Sequence, residues 1–120
     1  MSRLNQANPV SVKKGAELLG AVPFDKGFHF YIDYGKYTGV TANSIMELAQ
    51  KLITTPAAAV TFHFGRGDFQ KWLRNVIGDE ELAARIDHLK DWPSWSSDEG
   101  LRKELLKTVE KRISELKPSL

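Results

Sequence analysis

Residues 28–42 read FHFYIDYGKYTGVTA, and this stretch decides the fold class. Apolar side chains recur at every second position from Phe28 to Tyr34, which is typical of a strand with one buried face. Gly35 and Lys36 predict a tight turn, after which the aromatic and β-branched residues at 37–42 favour a second, antiparallel strand. The sequence therefore predicts a β-hairpin.

The segment that follows the hairpin predicts one helix and then one further strand. Ser44 and Glu47 form a capping box ahead of apolar residues at helical spacing, and Pro56 ends that pattern. From Ala59 to Phe64 apolar and polar residues alternate again. This alternation predicts a third strand.

Helices are expected before the hairpin and after the third strand. Ser11 is the predicted N-cap of a short first helix. Three further helices are predicted toward the C-terminus, with N-caps at Asp68, Asp79 and Ser96. Gly78 stands where the first of these three should end.

Together these elements predict an α+β domain in the order helix, strand, strand, helix, strand, and three helices. We expect a small three-stranded, mainly antiparallel sheet covered by about five helices. The most apolar strand, the first, is favoured as the central one, and the order 1-2-3 stays open. Polar residues 1–10 are predicted to form a flexible arm, and residues 11–120 a single domain.

Composition excludes several classes of protein. The 120 residues include no cysteine, which excludes a disulfide framework and a thiolate metal site. No apolar run approaches the roughly 20 residues that span a bilayer, so we expect a cytoplasmic protein that does not enter a membrane. The 17 basic and 15 acidic residues are interleaved, so the chain has no strong field for nucleic acid.

Several motifs in the middle of the chain resemble a family of small archaeal proteins of unknown function. The motifs are FHF at 62–64, GRGDF at 65–69, Trp72 and GDEELA at 78–83. Residues 28–31, the YTGV at 37–40 and the helix capped by Ser44 resemble the first half of the same family. The resemblance spans roughly residues 11–90 and implies no activity, ligand or cofactor.

One set of polar residues is predicted to share the sheet face opposite the phenylalanines. Its members are His29, Tyr31, Asp33, Thr61 and His63. The two histidines would then meet as a metal pair or an acid–base pair, with a carboxylate from Asp33 or Asp68. Alternatively, these side chains cover the sheet through hydrogen bonds. Two histidines without a third firm ligand make a poor zinc site, so no metal or other cofactor is predicted.

Basic and tryptophan residues supply two further candidate surfaces. Arg66, Lys71 and Arg74 form either a patch for RNA phosphates or an ordinary solvated helix face. Trp92 and Trp95 lie in a predicted loop at residues 91–97, where they either contact a partner protein or fold back over the helices.

No catalytic signature is present in the chain: it has no nucleophile elbow and no His-Glu-x-x-His motif. The preferred hypothesis is a non-catalytic binding or protein-interaction domain that engages a protein partner or forms a homodimer. The alternatives are an RNA- or ribosome-associated protein and a small metal-dependent or acid–base enzyme that uses His29 and His63.

Overall fold

The computed structural model describes residues 15–91 and 97–117. These residues form six α-helices and a two-stranded antiparallel sheet, which confirms the α+β class. The helices are α1 (Gly15–Leu18), α2 (Ile45–Thr54), α3 (Ala57–Arg66), α4 (Asp68–Trp72), α5 (Glu80–His88) and α6 (Asp98–Leu116). A π-helical turn, Leu73–Ile77, continues α4, and short 3-10 turns cover Phe24–Lys26 and Leu89–Asp91. The predicted arm at 1–10 and the N-cap Ser11 lie outside the described residues.

The predicted hairpin is confirmed. Its strands are β1 (Phe28–Asp33) and β2 (Lys36–Ala42), which pair antiparallel with Phe28 opposite Ala42. The register shifts after Phe30 and again after Tyr31, and the Thr38 hydroxyl donates a hydrogen bond of 2.8 Å to the Phe30 carbonyl. These shifts are β-bulges, which bend the strand that carries them.

Only the first half of β1 is buried. Phe28 and Phe30 face the helices and are 5% and 0% exposed, whereas Ile32 is 42% and Tyr34 72% exposed. The predicted apolar face therefore continues past the core, and the tip of the hairpin presents apolar side chains to solvent.

The predicted third strand is wrong, because residues 57–66 form helix α3. Pro56 precedes the helix, and three consecutive alanines, which have high helix propensity, occupy its first turn. Its buried residues are Ala59, Val60, His63 and Phe64, a spacing that belongs to one face of a helix. α3 packs against β1 and α6, in the place where the third strand was expected.

Two of the predicted N-caps are also corrected. Asp68 is the first residue of α4 rather than its cap, because Gly67 adopts a left-handed conformation with φ 73° between α3 and α4. α6 begins one residue later than predicted: Ser97 is its N-cap, and the Ser97 hydroxyl accepts the Gly100 N–H at 3.0 Å. Ser96 lies outside the described residues.

The predicted helix boundaries at Ser44, Gly78 and Asp79 are confirmed. Ser44 caps α2 by accepting the Glu47 N–H at 3.1 Å, while the Glu47 carboxylate reaches back to the Asn43 N–H at 2.8 Å. Asp79 caps α5 through the Leu82 N–H at 3.1 Å. Gly78 ends the α4 segment with φ 91° and donates its N–H to the Leu73 carbonyl.

Helix α6 joins the other helices through two arginines. The Arg102 guanidinium donates to the carbonyls of Leu52 and Thr55, both at 2.7 Å, and so caps the end of α2. Arg112 donates to both oxygens of Asp79, a residue that is only 1% exposed. At 19 residues α6 is the longest of the described helices, and none of these is apolar and long enough to cross a bilayer.

Candidate functional site

A groove of about 480 Å³ runs beside β1, between the hairpin and the helices α3 and α4. The hairpin side consists of Gly27, Phe28, His29, Tyr31, Asp33, Tyr34 and Gly35. The helix side consists of Phe62, His63, Arg66, Asp68 and Trp72. We call this cleft the β1 groove. Its volume lies in the range of small-ligand pockets, and most of its lining residues are aromatic or charged.

His63 closes the inner side of the β1 groove and is 4% exposed. Its Nε2 atom accepts the backbone N–H of Tyr31 at 2.8 Å, so the imidazole proton resides on Nδ1. That Nδ1 faces the Asp68 carboxylate at 2.8 Å. Both ring nitrogens are therefore engaged, and a reacting group could reach Nε2 only by displacing a backbone hydrogen bond.

The surroundings of His63 keep its imidazole neutral. Desolvation by burial lowers the pKa of His63, and this effect outweighs the hydrogen bond and the charge of Asp68, which raise it. The Tyr31 N–H acts in the same direction, because it bonds to the nitrogen that protonation would convert into a donor. His63 thus acts as a fixed neutral bridge between α3, β1 and Asp68.

Asp68 links His63 to Arg66. One oxygen of its carboxylate, Oδ2, faces His63 Nδ1 at 2.8 Å and accepts from Arg66 Nε at 3.0 Å. Partial burial by itself raises the pKa of Asp68, but the hydrogen bonds from His63 and Arg66 outweigh burial and hold the pKa below its ordinary value. The carboxylate is therefore ionised near neutral pH and holds the guanidinium in place.

Two aromatic rings hold the Arg66 guanidinium on the outer side of the groove. Its central carbon lies 5.0 Å from the Tyr34 ring centre and 5.4 Å from that of Phe62. These distances fall within cation–π range. The hydrogen bond to Asp68 and the neighbouring Tyr34 hydroxyl raise the pKa of Arg66, so its positive charge is permanent. Its side chain is still 42% exposed and accessible to a ligand.

The outer face of the hairpin continues the aromatic lining of the groove. The His29 ring lies 5.0 Å from that of Phe24 and 5.8 Å from that of Tyr37. Tyr31, which lines the groove, lies 5.5 Å from Tyr37. The His29 Nδ1 atom forms a hydrogen bond of 2.7 Å with the Thr41 hydroxyl. The aromatic surface thus extends from the groove across the hairpin.

The prediction that His29 and His63 meet on one polar sheet face is wrong. His63 belongs to a helix on the phenylalanine side, with its ring 4.8 Å from that of Phe28, whereas His29 turns to Thr41 on the other side. No ring contact among the described residues joins the two histidines. Across residues 15–91 and 97–117, no three histidine or carboxylate groups are placed to hold a metal ion.

The structure divides the other predicted site residues between the groove and remote surfaces. Besides both histidines, Tyr31, Asp33 and Arg66 line the groove. Thr61 does not: its hydroxyl donates to Asp98 of α6 at 2.9 Å, because on a helix it points away from β1.

The three residues of the predicted basic patch have different surroundings, and the patch itself stays a prediction. Arg66 is held by Asp68, and Arg74 donates to Glu80 at 2.7 Å and Asp87 at 2.9 Å, outside the groove. Lys71 is exposed on α4 but does not line the groove. Trp92 and Trp95 lie outside the described residues, so their predicted role stays a prediction.

Tyr34 and Phe62, whose rings lie beside Arg66, are among the groove residues that the sequence interpretation missed. Tyr34 was assigned to the apolar face of β1, and Phe62 to the buried face of a strand that does not exist. The sequence does contain a signal for Phe62. It stands four residues before Arg66, and on a helix this spacing puts the aromatic ring beside the guanidinium.

The fold and the groove define a small α+β domain with an aromatic, charged cleft along one edge of its hairpin. The chain belongs to the family of unknown function DUF5752, which matches residues 25–119. This match confirms the resemblance to a family without an assigned function. No curated protein and no solved structure is significantly similar to the chain.

Proposed function

We propose that this chain is a non-catalytic protein-interaction domain whose β1 groove holds a short segment of a partner protein. The proposal rests on the positions of the large apolar side chains that remain exposed. Among the described residues, four of the six such side chains lie on or next to the hairpin, namely Phe24, Ile32, Tyr34 and Tyr37. Concentrated apolar exposure of this kind is typical of interaction sites.

The partner is expected to bind through side-chain contacts rather than by adding a strand to the sheet. A peptide that extends a sheet needs free backbone donors along the strand edge. At Tyr31 that donor already bonds to His63. Recognition therefore rests on the aromatic walls and on the charged groups around Arg66.

The structure favours binding over acid–base catalysis and over RNA recognition. Both nitrogens of His63 are occupied, which removes the residue best placed to be a general base. Arg66 and Arg74 are each paired with carboxylates, which reduces the field that would attract phosphates.

Selection from a random peptide library displayed against the full chain tests the proposal. Peptides that bind the parent protein should lose binding to Tyr34→Ala, because Tyr34 is 72% exposed and its loss removes one wall of the groove. Ile53→Ala is the matched control, since Ile53 is also an exposed apolar residue, at 56%, and does not line the groove. Peptides that bind parent and Ile53→Ala but not Tyr34→Ala support the groove.

Two outcomes would contradict the proposal. One is that no peptide is enriched, and the other is that the enriched peptides bind Tyr34→Ala as tightly as the parent. Light scattering over a range of concentrations adds a test of the homodimer. A dimer that Tyr34→Ala dissociates and Ile53→Ala does not would identify the bound segment as part of a second copy of this chain.

A further inference from the structure

We infer that the β1 groove recognises a carboxylate close to an aromatic ring, supplied by the C-terminus of a partner polypeptide that ends in an aromatic residue. This inference rests on the proposed function and adds to it the chemistry of the bound segment.

The first argument is the part of the Arg66 guanidinium that is still free for a carboxylate. A guanidinium offers paired N–H donors that match the two oxygens of a carboxylate. Asp68 occupies Nε of Arg66, and among the described residues no carboxylate accepts a hydrogen bond from Nη1 or Nη2. The Tyr34 hydroxyl also bonds to this guanidinium but brings no negative charge, so the remaining N–H groups of Nη1 and Nη2 are available for a second carboxylate.

The second argument is that the guanidinium is already held in position. Asp68 fixes Nε at 3.0 Å, and the Tyr34 and Phe62 rings lie 5.0 and 5.4 Å from the central carbon. A group held in this way loses little conformational freedom when a ligand binds, which raises affinity. The same rings offer an apolar surface beside the cation, where an aromatic side chain of the ligand can pack.

The third argument is the charge of the groove, which favours a single negative charge over a phosphate. Arg66 is the only permanently charged cation among the residues that line the groove, and Asp33 and Asp68 line it too. His63 adds no positive charge, because the Tyr31 N–H occupies its Nε2. A doubly charged phosphate would face two carboxylates with one guanidinium, whereas a carboxylate needs only the free edge of that guanidinium.

The fourth argument concerns the source of the carboxylate. The aromatic surface continues from the groove to Tyr37 and Phe24 on the outer face of the hairpin. Tyr37 is 43% and Phe24 63% exposed. A small aryl acid bound at Arg66 would leave this surface uncovered, whereas the preceding residues of a peptide would cover it.

A matched set of small probes tests the head group without any mutation. The set is 3-phenylpropionate, 3-phenylpropionamide and 3-phenylpropylamine, which differ only in the group that faces Arg66. We expect the carboxylate to shift the NMR signals of the groove amides and to bind about tenfold more tightly than the amide, since charge-assisted hydrogen bonds are the stronger kind. Phenyl phosphate, the doubly charged probe, should bind less tightly than the carboxylate.

A short acetylated peptide that ends in phenylalanine tests the source of the carboxylate. With a free C-terminus it should bind at least about tenfold more tightly than the same peptide with a C-terminal amide, and more tightly than 3-phenylpropionate. An equal affinity for 3-phenylpropionate would overturn the assignment to a chain terminus.

Arg66→Gln should abolish the preference for the carboxylate over the amide. Arg74→Gln is the matched control, because Arg74 is also paired with carboxylates but does not line the groove. Thermal melting of each variant separates loss of binding from loss of folding, and the comparison of head groups on the parent protein does not depend on any variant.

Failure of this inference can be told apart from failure of the proposed function. If the amide or the amine shifts the groove signals as strongly as the carboxylate, the head group is wrong and the groove still binds. If no probe and no library peptide shifts them, both the inference and the proposed function fail.

Discussion

The Nε2 atom of His63 accepts the backbone N–H of Tyr31 at 2.8 Å, so a helix side chain satisfies a backbone donor of β1. The same imidazole faces Asp68 at 2.8 Å, and Asp68 in turn holds Arg66. The inner and outer sides of the β1 groove are thus joined by a continuous chain of hydrogen bonds from β1 to the guanidinium.

Replacement of His63 should show how much this bridge stabilises the fold. His63→Leu keeps much of the side-chain volume but leaves the Tyr31 N–H without its acceptor, and we expect a loss of about 2 kcal/mol in the free energy of unfolding. His63→Gln should lose less, because its amide oxygen can take the place of Nε2. Urea unfolding of the two variants measures the difference. Equal losses, or a more stable leucine variant, would contradict the role of His63 as an acceptor for β1.

Stability should decrease as the solution is acidified below pH 6.5. Burial holds the pKa of His63 below its ordinary value of 6.5 in the folded chain. Above pH 6.5 His63 is neutral in both the folded and the unfolded chain, so the full stability is present. Below pH 6.5 His63 becomes protonated in the unfolded chain while it stays neutral in the folded chain. The free energy of unfolding then falls by at most about 1.4 kcal/mol per pH unit until the folded pKa is reached.

Urea unfolding at a series of pH values between 8 and 5 measures this dependence. The parent protein should lose more stability over that range than His63→Gln, which lacks the titrating group. Asp68 acts in a separate and more acidic window, because its folded pKa lies below 3.8. Identical pH profiles for parent and variant would show that His63 does not titrate as its surroundings imply.

The sequence predicted the hairpin and most helix boundaries because local chemistry decides them. The turn at Gly35, the cap at Ser44 and the cap at Asp79 each depend on residues within a few positions. Residues 59–64 were misassigned because Val60 and Phe64 lie four apart, which fits a strand with period two as well as one face of a helix. The alanines at 57–59 were the signal for the helix.

The groove was harder to predict because it depends on how α3 packs against β1. The sequence interpretation selected His29, His63 and Arg66 but placed His63 on a third strand beside His29, and that strand does not exist. Once α3 is a helix, Phe62 and Arg66 share one of its faces and meet Tyr34, which is distant in sequence. Contacts of this kind follow from tertiary packing and not from the pattern of any one segment.

The buried ion pair between Asp79 and Arg112 should contribute much more to stability than the surface pairs do. Asp79 is 1% exposed, and Arg112 donates to both of its oxygens at 3.0 and 3.1 Å. Arg112→Met leaves this carboxylate buried without a cation, with only the Leu82 N–H still bonded to it, and we expect a loss of about 3 kcal/mol. Arg85→Met is the matched control, because Arg85 pairs with the more exposed Glu81 and Glu115 and should cost less than about 1 kcal/mol.

Chemical unfolding of the two variants at neutral pH measures both losses. If Arg112→Met were as stable as Arg85→Met, the Asp79 carboxylate would have to be solvated or protonated in that variant. The contact between α6 and the start of α5 would then contribute little to the free energy of unfolding.

Two glycines near the end of α3 allow a test of backbone conformation alone. A Cβ atom added to Gly65 or to Gly67 would meet no other atom within 4 Å, so neither substitution creates a clash. Gly65 lies within α3, and alanine there should stabilise the protein by about 0.5 kcal/mol through its higher helix propensity. Gly67 has φ 73°, and alanine there should cost about 1 kcal/mol, because a side chain disfavours the left-handed conformation.

Thermal melting of the two alanine variants gives shifts of opposite sign if this reasoning holds. Gly65 does not line the β1 groove and lies inside α3, so peptide binding to Gly65→Ala should be unchanged. Shifts of the same sign would mean that α3 does not end at Gly67 in solution. Since Arg66 and Asp68 flank that glycine, a helix running through Gly67 would separate the guanidinium from its carboxylate and take away the fixed cation on which recognition of a ligand depends.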